Sequence, residues 1–176
     1  RYHAHFGLSV HNLSSIRMNC YAAKERSPGE TRAALTPATG EMLVKLGLEV
    51  TAERGLGTLS DYADETYEKV NVKLTGNHAD ALANADLVMG VRKPNLEAVN
   101  SMKSGAVLMS HLDPFNEPEL VKSLAEAGIS AISLEMIPRI TLAQKMDVLS
   151  SQSNLAGYSA VILAAARITK VLPMMM

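Results

Sequence analysis

From about residue 19 onward, short apolar runs alternate with longer amphipathic ones. The short runs are Cys20 to Ala23, Glu49 to Ala52, Val70 to Leu74, Leu87 to Val91, Ala106 to Ser110 and Ser130 to Leu134. Mostly apolar stretches of four or five residues, flanked by polar residues or glycine, are what strands buried on both faces of a parallel sheet require. The longer runs predict helices. Thr36-Pro37 places a capping hydroxyl before a proline at the first helical position. Met42, Leu43 and Leu46 then recur at helical spacing, and Gly47 supplies a residue suited to a left-handed stop. Asn116 to Ala127 ends on Gly128 in the same way, and His78 to Ala83 and Asn95 to Met102 predict two shorter helices. Ser150 to Val171 is the longest, rich in Ala and Leu and broken by Gly157. Strands alternating with helices of this length predict an α/β domain. The expected fold is a flavodoxin-like or Rossmann-like parallel sheet flanked by helices, ending in a long C-terminal helix.

Composition then narrows the class. With 176 residues, 47% of them apolar, the chain can build one core of ordinary size. A net charge of −1 gives no electrostatic case for nucleic acid or an anionic membrane surface as partner. No apolar run reaches the roughly 18 residues of a membrane span, and Ser151, Gln152, Asn154 and Arg167 interrupt the longest helix. Direct membrane insertion is therefore not expected. The single cysteine, Cys20, leaves no internal disulfide and reads as a small buried hydrophobe on the first strand. No Cys/His cluster has zinc spacing, so no metal is expected, and His3 and His5 lack further ligands. Both ends read as those of a piece of something larger: the chain starts on Arg1 and stops on Met174-Met175-Met176 just after the long helix. Residues 1–17 contain Arg1, Arg17, three histidines, three serines and no acid, the composition of a transit-peptide remnant or an N-terminal extension.

Four segments carry candidate chemistry. Lys24-Glu25 through Glu30-Thr31-Arg32 to Thr36-Pro37 is a strand end, a charged loop and a capped helix start, where doubly wound sheets place ligands. A salt bridge from Arg32 to Glu25 or Glu30 is the plain structural alternative. Gly90-Val91-Arg92-Lys93-Pro94 follows another strand, and Ser110-His111-Leu112-Asp113-Pro114 puts a histidine at a third strand end, where it can serve as acid or base or simply hold the sheet's edge. The most informative segment runs from Ile137-Pro138-Arg139 to Asn154-Leu155-Ala156-Gly157-Tyr158. It carries Arg139, Gln144, Asp147 and Ser150 in a connection between a strand-like run and the long helix. By itself, Asp147 there pairs with Lys145 or caps the helix.

This last segment closely resembles the loop of proton-pumping NAD(P) transhydrogenases that holds the nicotinamide end of NAD(H), and the resemblance extends from about residue 19 to 176. The opening segment is shared with alanine dehydrogenases, whose counterpart of Arg32 grips a carboxylate. Alanine dehydrogenases read roughly Lys-Val-Lys-Glu-Pro where this chain has Gly90 to Pro94, and they lack the Met146-Asp147-x-Leu149-Ser150-Ser151-Gln152 string. The resemblance therefore favours the transhydrogenases, with an alanine dehydrogenase-like NAD-dependent oxidoreductase as the alternative.

It implies direct hydride transfer from NADH to NADP+ coupled to proton translocation. NAD(H) would sit in this domain and NADP(H) in a partner domain. It assigns catalytic positions to Arg139, Gln144 and Asp147, and cofactor-binding ones to Arg139, Ile140, Thr141, Gln144, Asp147 and Ser150. In the family, arginine and aspartate pair beside the nicotinamide, the serine meets its carboxamide, and the glutamine reaches toward NADP(H). The family's second arginine falls on Leu142. Residues 18–149 are expected to form the α/β subdomain, and 150–176 a connecting helix toward a dinucleotide-binding subdomain whose Gly-x-Gly-x-x-Gly turn would follow Met176. Implied partners are the NADP(H)-binding and membrane domains of the same enzyme and a second copy in a homodimer. The implied place is a soluble domain of a membrane enzyme. It would lie on the matrix side of the mitochondrial inner membrane if residues 1–17 are a transit remnant, and otherwise on the cytoplasmic face of a bacterial inner membrane.

Overall fold

A computed structural model describes residues 18–169; the expected N-terminal extension or transit remnant at 1–17, and residues 170–176, lie outside them. Six parallel strands form one sheet: β1 (Asn19–Ala22), β2 (Glu49–Glu53), β3 (Lys73–Thr75), β4 (Leu87–Met89), β5 (Val107–Ser110) and β6 (Ser130–Ser133). Their spatial order is β3-β2-β1-β4-β5-β6, so the Rossmann arrangement is the one adopted. Helices α1 (Pro37–Lys45), α2 (Asp64–Glu68), α3 (His78–Asn84), α4 (Leu96–Ser101) and α5 (Pro118–Glu126) connect successive strands.

Strand alternation creates two core layers. Cys20 and Ala22 point to one face, where they pack with Val50, Ala52, Leu35, Tyr67 and Val72. Tyr21 points to the other, with Leu82, Val88, Val99, Leu108 and Leu120. Local signals set the helix ends. The Thr36 hydroxyl accepts the Thr39 amide at 3.2 Å, and Gly47 leaves α1 at φ +89°.

The structure decides the buried face of one helix and corrects three expectations. Met42 and Leu46 are 65% and 77% exposed, because α1 turns Gly40 to the sheet instead. β3 starts at Lys73 since Val70 and Asn71 form the turn after α2, with Asn71 left-handed at φ 62°. β6 is an edge strand with Ser130, Ala131 and Ile132 exposed, so it is not buried on both faces. The long helix α6 (Val148–Arg167) begins two residues early because Asp147 caps it.

The described chain divides into two compact units, one ending at Ser133 and the other starting at Leu134. The second contains a 3-10 turn at Leu134–Met136, a 3-10 helix at Thr141–Met146 and α6. No helix among the described residues is long and apolar enough to cross a membrane.

Candidate functional site

In the first unit, β1 and β4 are neighbours whose connections leave in different directions: β1 continues into α1 and on to β2, while β4 continues into α4 and on to β5. The loops at their carboxyl ends border a crevice, the place where open α/β sheets bind ligands. Glu25 bridges it. Its Oε1 accepts the amides of Val91 at 2.5 Å and Arg92 at 3.0 Å.

Arg32 pairs with Glu30. Its Nε and Nη2 donate to the two carboxylate oxygens, each at 2.7 Å. Arg92 Nε donates to the same carboxylate at 2.8 Å. Glu30 is buried, and the Arg32 hydrogen bond chiefly, with the Arg32 amide and Arg92, outweighs the effect of burial and lowers its pKa to about 2. Gly90 offers no side chain at the end of β4, and Lys93 pairs with Glu117. His111 is half-buried, and its amide donates to the Val91 carbonyl at 3.1 Å.

A second cluster was not singled out from the sequence. Tyr21, Arg26, Glu53 and His78 meet at the carboxyl ends of β1 and β2. Glu53 accepts from the Tyr21 hydroxyl at 3.1 Å, the Lys24 amide at 3.0 Å and the Arg26 guanidinium. Burial opposes its charge, but the Arg26 and Lys24 hydrogen bonds prevail and hold the carboxyl below its usual range. Burial lowers the His78 pKa, helped by Arg26, and burial followed by the Glu53 charge raises that of Tyr21. The one sequence signal for this cluster was a glutamate closing the largely buried strand Glu49–Glu53.

In the second unit, Arg139, Asp147 and Ser150 are brought together. Asp147 leaves the 3-10 helix with extended backbone (φ −75°, ψ 90°) and caps α6, its Oδ1 accepting the Ser150 amide at 2.9 Å. Its Oδ2 accepts the Ser150 hydroxyl at 2.7 Å and lies 3.5 Å from Arg139 Nε. Arg139 Nη2 donates to Ser150 Oγ at 3.0 Å. The hydroxyl thus links guanidinium to carboxylate, and the Ser150 hydrogen bonds, then Arg139, hold Asp147 below the usual carboxylate range. The two plain alternatives for Asp147 part here: it caps the helix and pairs with Arg139, eleven residues before Ser150. Gln144, Ile140, Thr141 and Leu142 carry exposed side chains outside the cluster, Leu142 at 90% exposure. The Ile140 carbonyl accepts the Ala143 amide at 3.0 Å and starts the 3-10 helix.

Residues 21–156 match the protein family described as alanine dehydrogenase/PNT, N-terminal domain. An NAD(P) transhydrogenase alpha-subunit polypeptide of Rhodospirillum rubrum is 42% identical over 87% of this chain and 41% of its own length. The crystal structure of a transhydrogenase from Sinorhizobium meliloti superposes with a TM-score of 0.82 at 42% identity, covering 90% of this chain and 47% of that one. An alanine dehydrogenase of Bacillus subtilis is more distant, 31% identical over 76% of this chain and 34% of its own. The chain thus spans less than half the length of these relatives.

Proposed function

The chain belongs to the alanine dehydrogenase/PNT N-terminal-domain family, and from that membership we propose that it is the nicotinamide-facing part of the NAD(H)-binding domain of a proton-translocating NAD(P) transhydrogenase. The observation that carries this reading is the Arg139–Ser150–Asp147 cluster at the start of α6. The higher identity to the transhydrogenase than to the alanine dehydrogenase supports it further, 42% against 31%.

The donor set fits a carboxamide-bearing ring. Arg139 has five N–H donors, of which the cluster engages only some, and the Asp147 carboxylate fixes where the rest are offered. The Ser150 hydroxyl is oriented from both sides and is rotationally fixed, a preorganised polar contact. When bound, NADH supplies the hydride that passes directly to NADP+ in a partner domain. This chain's residues have only to hold and orient the ring. Direct transfer between two rings needs alignment more than an acid or base, which suits a site of Arg, Asp and Ser without a nucleophile.

Ile140 and Thr141 supply backbone at the same bend, and Gln144, with its exposed amide, is the residue directed to the NADP(H) side. Proton translocation belongs to the membrane domain of the same enzyme, and the assembled enzyme carries this domain as a homodimer. The relatives named above are bacterial, which favours the cytoplasmic face of a bacterial inner membrane.

Asp147→Asn in the assembled enzyme tests the reading. It removes the charge that holds Arg139 while keeping an acceptor for the helix cap. We expect hydride transfer to slow on the order of 100-fold with the melting temperature nearly unchanged. A fall in melting temperature with turnover intact would reduce Asp147 to a structural cap.

A further inference from the structure

The loop after β2 carries Gly55 and Gly57, and neither takes part in the clusters described above. This loop is held firmly. Asp64 Oδ1 accepts the Gly55 amide at 2.8 Å, and the Gly57 carbonyl accepts the amides of Ser60 at 2.8 Å and Tyr62 at 3.0 Å. A methyl group on Gly57 would stand 2.5 Å from Tyr62 Cβ and 2.7 Å from the Tyr67 hydroxyl oxygen, so the chain is tightly packed there.

Gly55 is bare for a different reason. Its φ is +72°, a conformation that favours glycine, and its α-carbon faces polar groups from two loops. A methyl group there would lie 3.2 Å from Lys24 Nζ and 3.4 Å from Thr58 Oγ1. Lys24 is aimed at this point by its own backbone. Its amide donates to Glu53 Oε2 at 3.0 Å, and its carbonyl accepts Arg26 Nη1 at 3.0 Å, which fixes the start of the side chain beside the end of β2.

Neither the Lys24 ammonium nor the Thr58 hydroxyl has a hydrogen-bond or ion-pair partner among the described residues. The neighbouring acids are already engaged. Glu53 is paired with Arg26, while Asp64 holds the Gly55 amide and lies 4.0 Å from Arg54 Nη1. The third-nearest atom to the missing methyl is Lys24 Cε at 4.0 Å, so no carboxylate oxygen comes closer. A positive charge and a free hydroxyl thus flank one bare α-carbon. They do so at the carboxyl ends of β1 and β2, the side on which a sheet of this strand order receives ligands.

We propose that Lys24 Nζ, Thr58 Oγ1 and the bare α-carbon of Gly55 form a site for a phosphoryl group, separate from the Arg139–Asp147–Ser150 cluster. The ammonium and the hydroxyl donate to its oxygens, and the absent side chain lets the group come close to the backbone. The inference does not depend on the transhydrogenase reading.

The test is an NMR titration of the 176-residue chain with sodium phosphate, AMP or sodium chloride at equal ionic strength. The signals followed are the Gly55 and Thr58 amides and the Lys24 Cε methylene. Phosphate and AMP should shift them saturably, and chloride should not. Lys69, exposed after α2, serves as the control lysine and should not respond. Lys24→Met should weaken binding at least about tenfold, and Thr58→Val about threefold or more. Both positions are exposed, so the remaining amide spectrum should persist in each variant. An affinity for AMP no greater than for phosphate names the inorganic ion as occupant, and a tighter one names a phosphate monoester. The proposal is overturned if neither phosphate nor AMP moves these signals, or if chloride moves them as far. It is overturned equally if Lys69 responds as Lys24 does, or if the two variants bind as the parent chain does.

Discussion

Glu30 shows how far one carboxylate can organise its surroundings. It is buried, receives two guanidiniums, and has its pKa lowered from 4.5 to about 2. A group whose folded pKa lies below its unfolded value stabilises the fold fully above the unfolded value, and that contribution is lost as pH falls toward the folded one. The melting temperature should therefore drop between about pH 4.5 and about pH 2 partly through this residue. Glu30→Gln should flatten that stretch of the profile while costing roughly 2 kcal/mol at neutral pH, less than for a fully buried pair because both guanidiniums reach solvent. An unchanged acid limb in thermal melts would show that the pair carries no such linkage. Gln144 is the opposite kind of residue, exposed and outside the cluster. Gln144→Ala should leave the NADH affinity of the complete NAD(H)-binding domain nearly intact. It should slow hydride transfer once the NADP(H)-binding domain is added, because the rings are then less well aligned. Loss of NADH binding by the domain alone would make Gln144 a direct NAD(H) ligand.

Among the elements, α6 is the least supported: every residue from Ser151 to Arg167 is exposed, including Leu155, Tyr158, Val161, Ile162 and Leu163. Gly157 sits within it, and a methyl group there would meet nothing within 4 Å. Gly157→Ala should favour the helix by about 0.8–1 kcal/mol, read as slower amide exchange across α6. Unchanged exchange would mean that α6 does not open locally at Gly157. The strands and caps were legible because each is a local event. Thr36 bonds three residues ahead, and apolar runs of four residues mark strands. The face of α1 was not legible, since periodicity cannot tell which apolar stripe meets the sheet. Close approach decided it: a methyl group on Gly40 would stand 2.7 Å from Val72 Cγ2, so that side lies against the core. The five-residue α2 is too short for its period to register. At the candidate site, Arg139, Asp147 and Ser150 fall within one segment and could be read together. Tyr21, Glu53 and His78 could not, with Tyr21 lying 32 residues from Glu53 and 57 from His78. Only the fold makes them neighbours.

At the scale of the whole molecule, no Gly-x-Gly-x-x-Gly turn is present to seat a pyrophosphate on a helix N-terminus. Calorimetric titration of this chain with NADH should therefore give a dissociation constant at least about tenfold weaker than that of a longer chain containing such a turn. Equal affinities would place the main dinucleotide contacts within these 176 residues. The strand order has a further consequence, for the timing of synthesis. β1 is an interior strand of the sheet and is made before its neighbours, yet one of the two, β4, is encoded far downstream: Asn19 and Asp86, which join the two strands at one end, are 67 residues apart. At translation rates of about 5–20 residues per second, Cys20, Tyr21 and Ala22 wait roughly 3 to 13 seconds for that partner. During this interval the future centre of the sheet is an unpaired edge. The nascent domain is thus most open to aggregation and to chaperone capture between the synthesis of β1 and that of β4, before the strand that closes it has left the ribosome.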